Sequence, residues 1–148
     1  MAESHQPPHA AGTYRLLEHT ADMGIEAQAA TLDALFVGAA RGLLEVLFGQ
    51  PCLAGEGQRL EVKLEAGDTE ELLVAWLGEI LFQVEQRRFC PAVFQFDEIG
   101  RRHLRGSITG EYQRKELVPL REVKAVTYHR LKVEQRQDGW KARVYLDL

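Results

Sequence analysis

At 148 residues, 45% of them hydrophobic, the chain suits one globular domain with a real core rather than a disordered segment. No apolar run reaches membrane-spanning length, and the first residues (MAESHQPPHAAG) lack the charged and apolar stretches of a secretory signal. The net charge of −4 conceals a division: residues 1–98 hold 6 Lys/Arg against 16 Asp/Glu, whereas residues 99–148 hold 12 against 6. A basic half can mark a surface that meets phosphate or an acidic partner, although charged side chains also simply solvate strand faces. Cys52 and Cys90 stand far apart in no metal or redox spacing and read as reduced thiols of a cytosol-like compartment.

Residues 1–12 carry two prolines and no apolar period, which predicts a mobile tail ahead of a domain over 13–148. Tyr14 and Leu16 alternate with polar neighbours as a short strand ending at His19. Ile25, Ala27 and Ala29 form a second strand, leaving HTADMG (His19–Gly24) as the loop between them. Leu32, Leu35, Phe36, Ala39, Leu43, Val46 and Leu47 make the apolar stripe of a first helix, with Thr31 as N-cap, Gly49 as left-handed C-terminal residue and Pro51 beyond. After an alternating strand at Leu60, Val62 and Leu64, Asp68 caps a second helix. Glu71 is placed to reach back to the cap's own N–H, and the stripe runs from Leu72 to Val84 until Pro91 stops it.

From there the period becomes two. Phe94 and Phe96 share a face, as do Leu104, Ile108 and Tyr112, and Leu131 and Val133 match Trp140 to Leu146 across a turn at Asp138-Gly139. The expected class is α+β: two amphipathic helices packed on one face of a largely antiparallel sheet, in a single domain. In the last strand Trp140, Ala142, Val144 and Leu146 point inward, so Asp147 belongs to the open face with Lys141, Arg143 and Tyr145.

Signatures of nucleotide loops, zinc sites and nucleophile elbows are absent from the sequence. Three segments could carry chemistry. Asp22 in the HTADMG loop can be a hard-cation ligand or a general base, or an ordinary turn former. Asp147 and the α-carboxylate of Leu148 repel one another unless a cation joins them. Oxygen-only ligation favours Ca²⁺, Mg²⁺ or Mn²⁺ over zinc, whereas a frayed terminus needs no ligand. In EVKAVTYH, alternation puts Lys124, Val126 and Tyr128 on one face, where a Lys and a Tyr could meet phosphate or an acidic partner, or belong to a plain amphipathic strand.

HTADMGI near the start, EVKAVTYH late and the terminal Asp-Leu together resemble the archease family, and the TLDALFVGAARGLLEVLFG and DTEELLVAWLGEILF segments agree with it, over roughly residues 13–148. Archeases are accessory proteins of the RtcB-type RNA-splicing ligase, which joins RNA ends with GTP and divalent metal; they promote its guanylylation and turnover. The resemblance implies a protein cofactor, not an enzyme by itself, with RNA met indirectly through the ligase; the cysteines and the lack of a long apolar run make it a cytoplasmic protein with no membrane partner. It puts the family's metal-binding acidic residue on Asp22, the C-terminal metal ligands on Asp147 and Leu148, and the functional lysine on Lys124. Met23 stands where the family more often has Ile or Val. Other readings are an RNA-binding module using the basic half, a chaperone-like modulator of RNA-processing enzymes, or a small metal-dependent hydrolase with Asp22 as base and His19 or His129 assisting.

Overall fold

In the computed structural model, which describes residues 12–18, 22–50, 52, 57–113 and 119–148, the chain runs β1 (Thr13–Glu18), β2 (Asp22–Ala29), α1 (Leu32–Phe48), β3 (Gln58–Glu65), α2 (Thr69–Arg87), β4 (Phe89–Ile99), β5 (His103–Tyr112), β6 (Ala125–Arg136) and β7 (Gly139–Asp147). The expected tail apart from Gly12, and the loop residues His19, Thr20 and Ala21, lie outside the described residues. The α+β class holds, with the sheet divided in two: a four-stranded sheet of order β1-β2-β7-β6 and a three-stranded sheet of order β3-β5-β4, each strand antiparallel to its neighbours.

Both helices start where the residue chemistry says. The Thr31 hydroxyl accepts from the Ala34 N–H, and Gly49 takes φ 74° with its N–H on the Glu45 carbonyl. Asp68 accepts from the Glu71 N–H at 2.8 Å, but the Glu71 carboxylate accepts from Gly67, one residue before the cap. The end of α2 differs from expectation: Arg88, in the left-handed region at φ 55°, turns the chain, and Pro91 lies inside β4 beside a register shift. A proline without an N–H is tolerated at such a bulge.

Helix α1 is buried on most of its circumference, as expected of a helix that is apolar nearly all round. It packs against β1, β2 and β7 of the larger sheet, against β4 of the smaller, and against α2. Trp76 of α2 is fully buried, donates its indole N–H to the Phe36 carbonyl at 3.0 Å, and meets the rings of Phe94 and Phe96. One core therefore joins both sheets and both helices.

Two further expectations are corrected. Cys52 and Cys90 are not separate thiols: they are joined as a disulfide, with Cα atoms 5.8 Å apart, within the range that a disulfide spans. A sequence separation of 38 hid this, because only the packing of β4 brings them together. The β6–β7 hairpin turns at Gln137-Asp138, with Arg136 paired to Gly139. Gly139, at φ 138°, must be glycine because a Cβ there would lie 2.4 Å from the Ala29 carbonyl oxygen.

Candidate metal centre

The pairing of β2 with β7 brings the candidate residues together, because it joins a strand near the start of the chain to the last one. In its register Asp22 lies directly opposite Asp147. Asp22 is therefore not in the loop, as expected from the sequence, but is the first residue of β2, and Met23 behind it is core at 4% exposure. Pairing with β1 on one side and β7 on the other extends β2 beyond the point where its own alternation is readable.

Directly opposed residues of an antiparallel pair have Cβ atoms about 5 Å apart, so two carboxylates in these positions repel. Asp22 holds one oxygen, Oδ1, away from solvent with no hydrogen-bond partner among the described residues. A buried carboxylate oxygen without a donor costs about 1–3 kcal/mol unless something satisfies it. A hard cation would satisfy it and cancel the repulsion across the strands, so the residues fit an oxygen-liganded ion. No group of three His, Cys, Asp or Glu side chains gathers among the described residues. A cation here would complete its shell with the Leu148 α-carboxylate, main-chain oxygens, water or a partner's groups. Leu148 follows β7 directly and is half-buried against the core.

Lys124 comes to the same corner through its backbone. Its N–H donates to the Asp147 carbonyl at 2.8 Å, and Ala125, the next residue, pairs with Asp147. Its side chain is exposed. The face expected for this segment is corrected, however. Val126 pairs with the buried Leu146 and packs against the core, whereas Ala125 and Thr127 pair with Asp147 and Tyr145 of the open face. Residues 128–131 fall in a bulge between the Thr127 and Lys132 pairings, which breaks the alternation carried on to Tyr128.

The open face beside this corner is ordered in rows. Next to Asp22 and Asp147 come Gly24 and Tyr145, and then Glu26 and Arg143. Tyr145 is 4% exposed although it faces outward, because its ring lies over Gly24: a Cβ on Gly24 would come 2.8 Å from Tyr145 Cε1 and 3.0 Å from Leu17 Cβ. Gly24→Ala is expected to destabilise the fold by about 1–3 kcal/mol through overpacking, measured by urea titration; a loss within error would show that the ring has room to move.

Glu26, at 3% exposure, is a buried charge that sequence reasoning missed; its position on the Asp22 face of β2 was the available signal. It accepts from Arg143 at 2.8 Å and from Arg15 at 2.7 Å, with Lys141 at 3.9 Å. The hydrogen bond from Arg143 above all, then that from Arg15 and the charge of Lys141, hold its carboxyl below the usual value of 4.5 against the opposing effect of burial. The unfolded chain thus takes up the proton more readily than the fold. The contribution of Glu26 is present above about pH 4.5 and lost as the pH falls through its lower folded value. Glu26→Gln is expected to flatten the acid side of the stability–pH curve, followed by urea titrations between about pH 6 and pH 3. A variant with the wild-type slope would show that Glu26 is not the group responsible.

A sequence profile of the archease protein family matches residues 14–148. The chain belongs to the archease family. Curated archeases agree over nearly the whole length: that of Methanosarcina acetivorans is 38% identical over 140 residues, covering 91% of this chain and 95% of its own, and that of Methanopyrus kandleri is 35% identical over 136 residues, covering 89% and 96%. Among solved structures, a Methanobacterium thermoautotrophicum protein studied in solution superposes with a TM-score of 0.72 at 32% identity, covering 91% of this chain and 98% of its own. A Thermotoga maritima archease, described as a possible chaperone, gives 0.63 at 25% identity, covering 89% and 94%. The archease relation spans both strands that bring Asp22 to Asp147.

Proposed function

We propose that this archease-family protein is a metal-binding accessory protein of an RtcB-type RNA-splicing ligase, acting in tRNA splicing or RNA repair by promoting ligase guanylylation and multiple turnover. The observation that supports this most is the register of β2 on β7, which opposes Asp22 to Asp147 and leaves a buried Asp22 oxygen without a donor among the described residues. In this reading Asp22, Asp147 and the terminal carboxylate of Leu148 hold one Ca²⁺, Mg²⁺ or Mn²⁺ ion. The exposed Lys124, one residue from the strand that pairs with Asp147, contacts the ligase or its bound groups. A cation bound at this corner keeps open positions for a partner's oxygens, so the ion can be shared across the interface.

The protein performs no chemistry of its own in this account. The RNA ends are joined on the ligase in this reading, and the compartment is the cytoplasm, where a reducing thiol pool would work against the Cys52–Cys90 disulfide. A cavity of about 370 Å³, lined in part by Phe48, Val84, Glu85, Phe89 and Glu122, includes neither Asp22 nor Asp147, so it lends nothing to a hydrolase centred on Asp22.

The test is ligase guanylylation measured from labelled GTP, with and without this protein and with Lys124→Ala. Stimulation by the wild type, lost with Lys124→Ala while the variant keeps its melting temperature, is expected. No stimulation of the ligase from the same organism would remove the proposal.

A further inference from the structure

Beyond the acidic corner, the same open sheet face becomes strongly basic. A depression of about 220 Å³ is lined by Arg130, Lys132, Arg136, Lys141 and Arg143, with Glu134, and among the described residues Ala142 is its one apolar lining residue. Register explains the clustering. Lys132 lies opposite Arg143 and Glu134 opposite Lys141, so alternate residues of β6 and β7 deliver their side chains to one side.

Two carboxylates organise these cations without neutralising them. Glu26 binds Arg143 and Lys141 from one side, and Arg15 as well. Glu134 binds Lys132 at 3.3 Å and Arg136 at 3.1 Å. Five cations thus share two anions, and Arg130, a sixth, has no ion-pair partner among the described residues. Arg130 also sits in the left-handed region at φ 53°, within the bulge that brings it to the depression. A long side chain held in that conformation is strained, and such strain concentrates at functional positions.

We infer that this groove of β6 and β7 binds the phosphodiester backbone of single-stranded RNA directly. Its composition separates that occupant from an acidic protein. Protein interfaces have apolar, aromatic-rich centres depleted in Lys, whereas nucleic-acid interfaces are polar and strongly cationic. Four-residue spacing along β7 sets Arg143 about 13 Å from Asp147, so a bound strand lies on the same face as the acidic corner, beyond the Tyr145 row. Exposed Tyr128, in the same bulge as Arg130, offers a ring for stacking. The choice of RNA over DNA rests on the proposed role beside an RNA-splicing ligase; the inference does not rest on cation binding at Asp22, and its test is carried out without divalent ions.

The test uses the full chain with EDTA and no ligase, and follows the anisotropy of a labelled 12-nucleotide oligo(U) across a NaCl series. Matched oligo(dT) and poly-glutamate serve as competitors. Binding is expected with a log–log salt slope of about −2 to −3, as for three or four phosphate contacts on a single strand. Arg130→Asn with Lys132→Gln is expected to make the slope shallower by about 1.4, the loss of two contacts. Arg130→Asn alone is expected to weaken binding while the melting temperature holds or rises, since Asn accepts a positive φ readily. No RNA binding at 50 mM NaCl, a double variant with the wild-type slope, tighter binding of DNA, or competition by poly-glutamate as strong as by RNA would each overturn the inference.

Discussion

Asp22→Ala is expected to melt at a higher temperature than the wild type in EDTA and at a lower one in saturating divalent cation. The crossover follows from the opposition of Asp22 to Asp147 and from the Asp22 Oδ1, which has no partner among the described residues. Without an ion, the fold bears a buried carboxylate oxygen with no donor and a like-charge cross-strand pair. Removing both is expected to gain about 1–2 kcal/mol. With an ion, the wild type gains RT ln(1 + [L]/Kd), about 2.7 kcal/mol at a hundredfold excess over Kd, and the variant gains none. Melting curves of both proteins in EDTA and in millimolar CaCl₂, MgCl₂ or MnCl₂ measure the four corners of this cycle. Parallel shifts of the two proteins on adding cation would mean that the ion binds elsewhere. The same variant is expected to lose ligase stimulation although its fold survives, which separates a functional loss from unfolding.

Trp76→Ala is expected to cost about 3–5 kcal/mol, the range for truncating a buried aromatic residue. Trp76 is fully buried in α2, donates to the Phe36 carbonyl of α1 and meets Phe94 and Phe96 of β4, so its loss opens a cavity between the helices and the smaller sheet. Trp76→Phe keeps much of the volume and loses the donor, and is expected to cost less than the alanine variant. Urea titrations with an unchanged m-value would place both losses in the native state. An alanine variant that loses under about 1 kcal/mol would contradict the single core that joins the two sheets.

Much of the fold was legible because it is local. Thr31, Gly49 and Asp68 declare their helix ends through the geometry their own side chains or φ values permit, and the stripe from Leu72 to Val84 is buried as its period requires. What escaped was non-local or turned on a single residue. Arg88 ends α2 in a conformation that nothing in its residue type announces, and the proline expected to do so lies in a strand. The bulge at residues 128–131 defeats alternation, so Val126 turned out to face the core.

The candidate site divides along the same line. Alternation in β7 correctly put Asp147 on the open face, because Trp140 to Leu146 keep a strict period against the core. The place of Asp22 did not follow from its neighbours. Its strand begins at that residue because β1 and β7 pair with it, and those contacts belong to the topology rather than to the motif. Glu26 was hidden for a related reason: its cations come from β1 and from residues 115 and 117 positions further along the chain. The disulfide between Cys52 and Cys90 is likewise a product of tertiary packing.

The central claim is that β2 and β7, far apart in sequence, form one cation site, and calorimetric titration of Asp147→Ala with divalent cation tests it most directly. The wild type is expected to bind one ion per chain. Asp147→Ala is expected to lose that binding as fully as Asp22→Ala, because neither carboxylate alone compensates an ion's lost hydration. Retention of wild-type affinity and stoichiometry by either single variant, with its fold intact, would contradict a shared site.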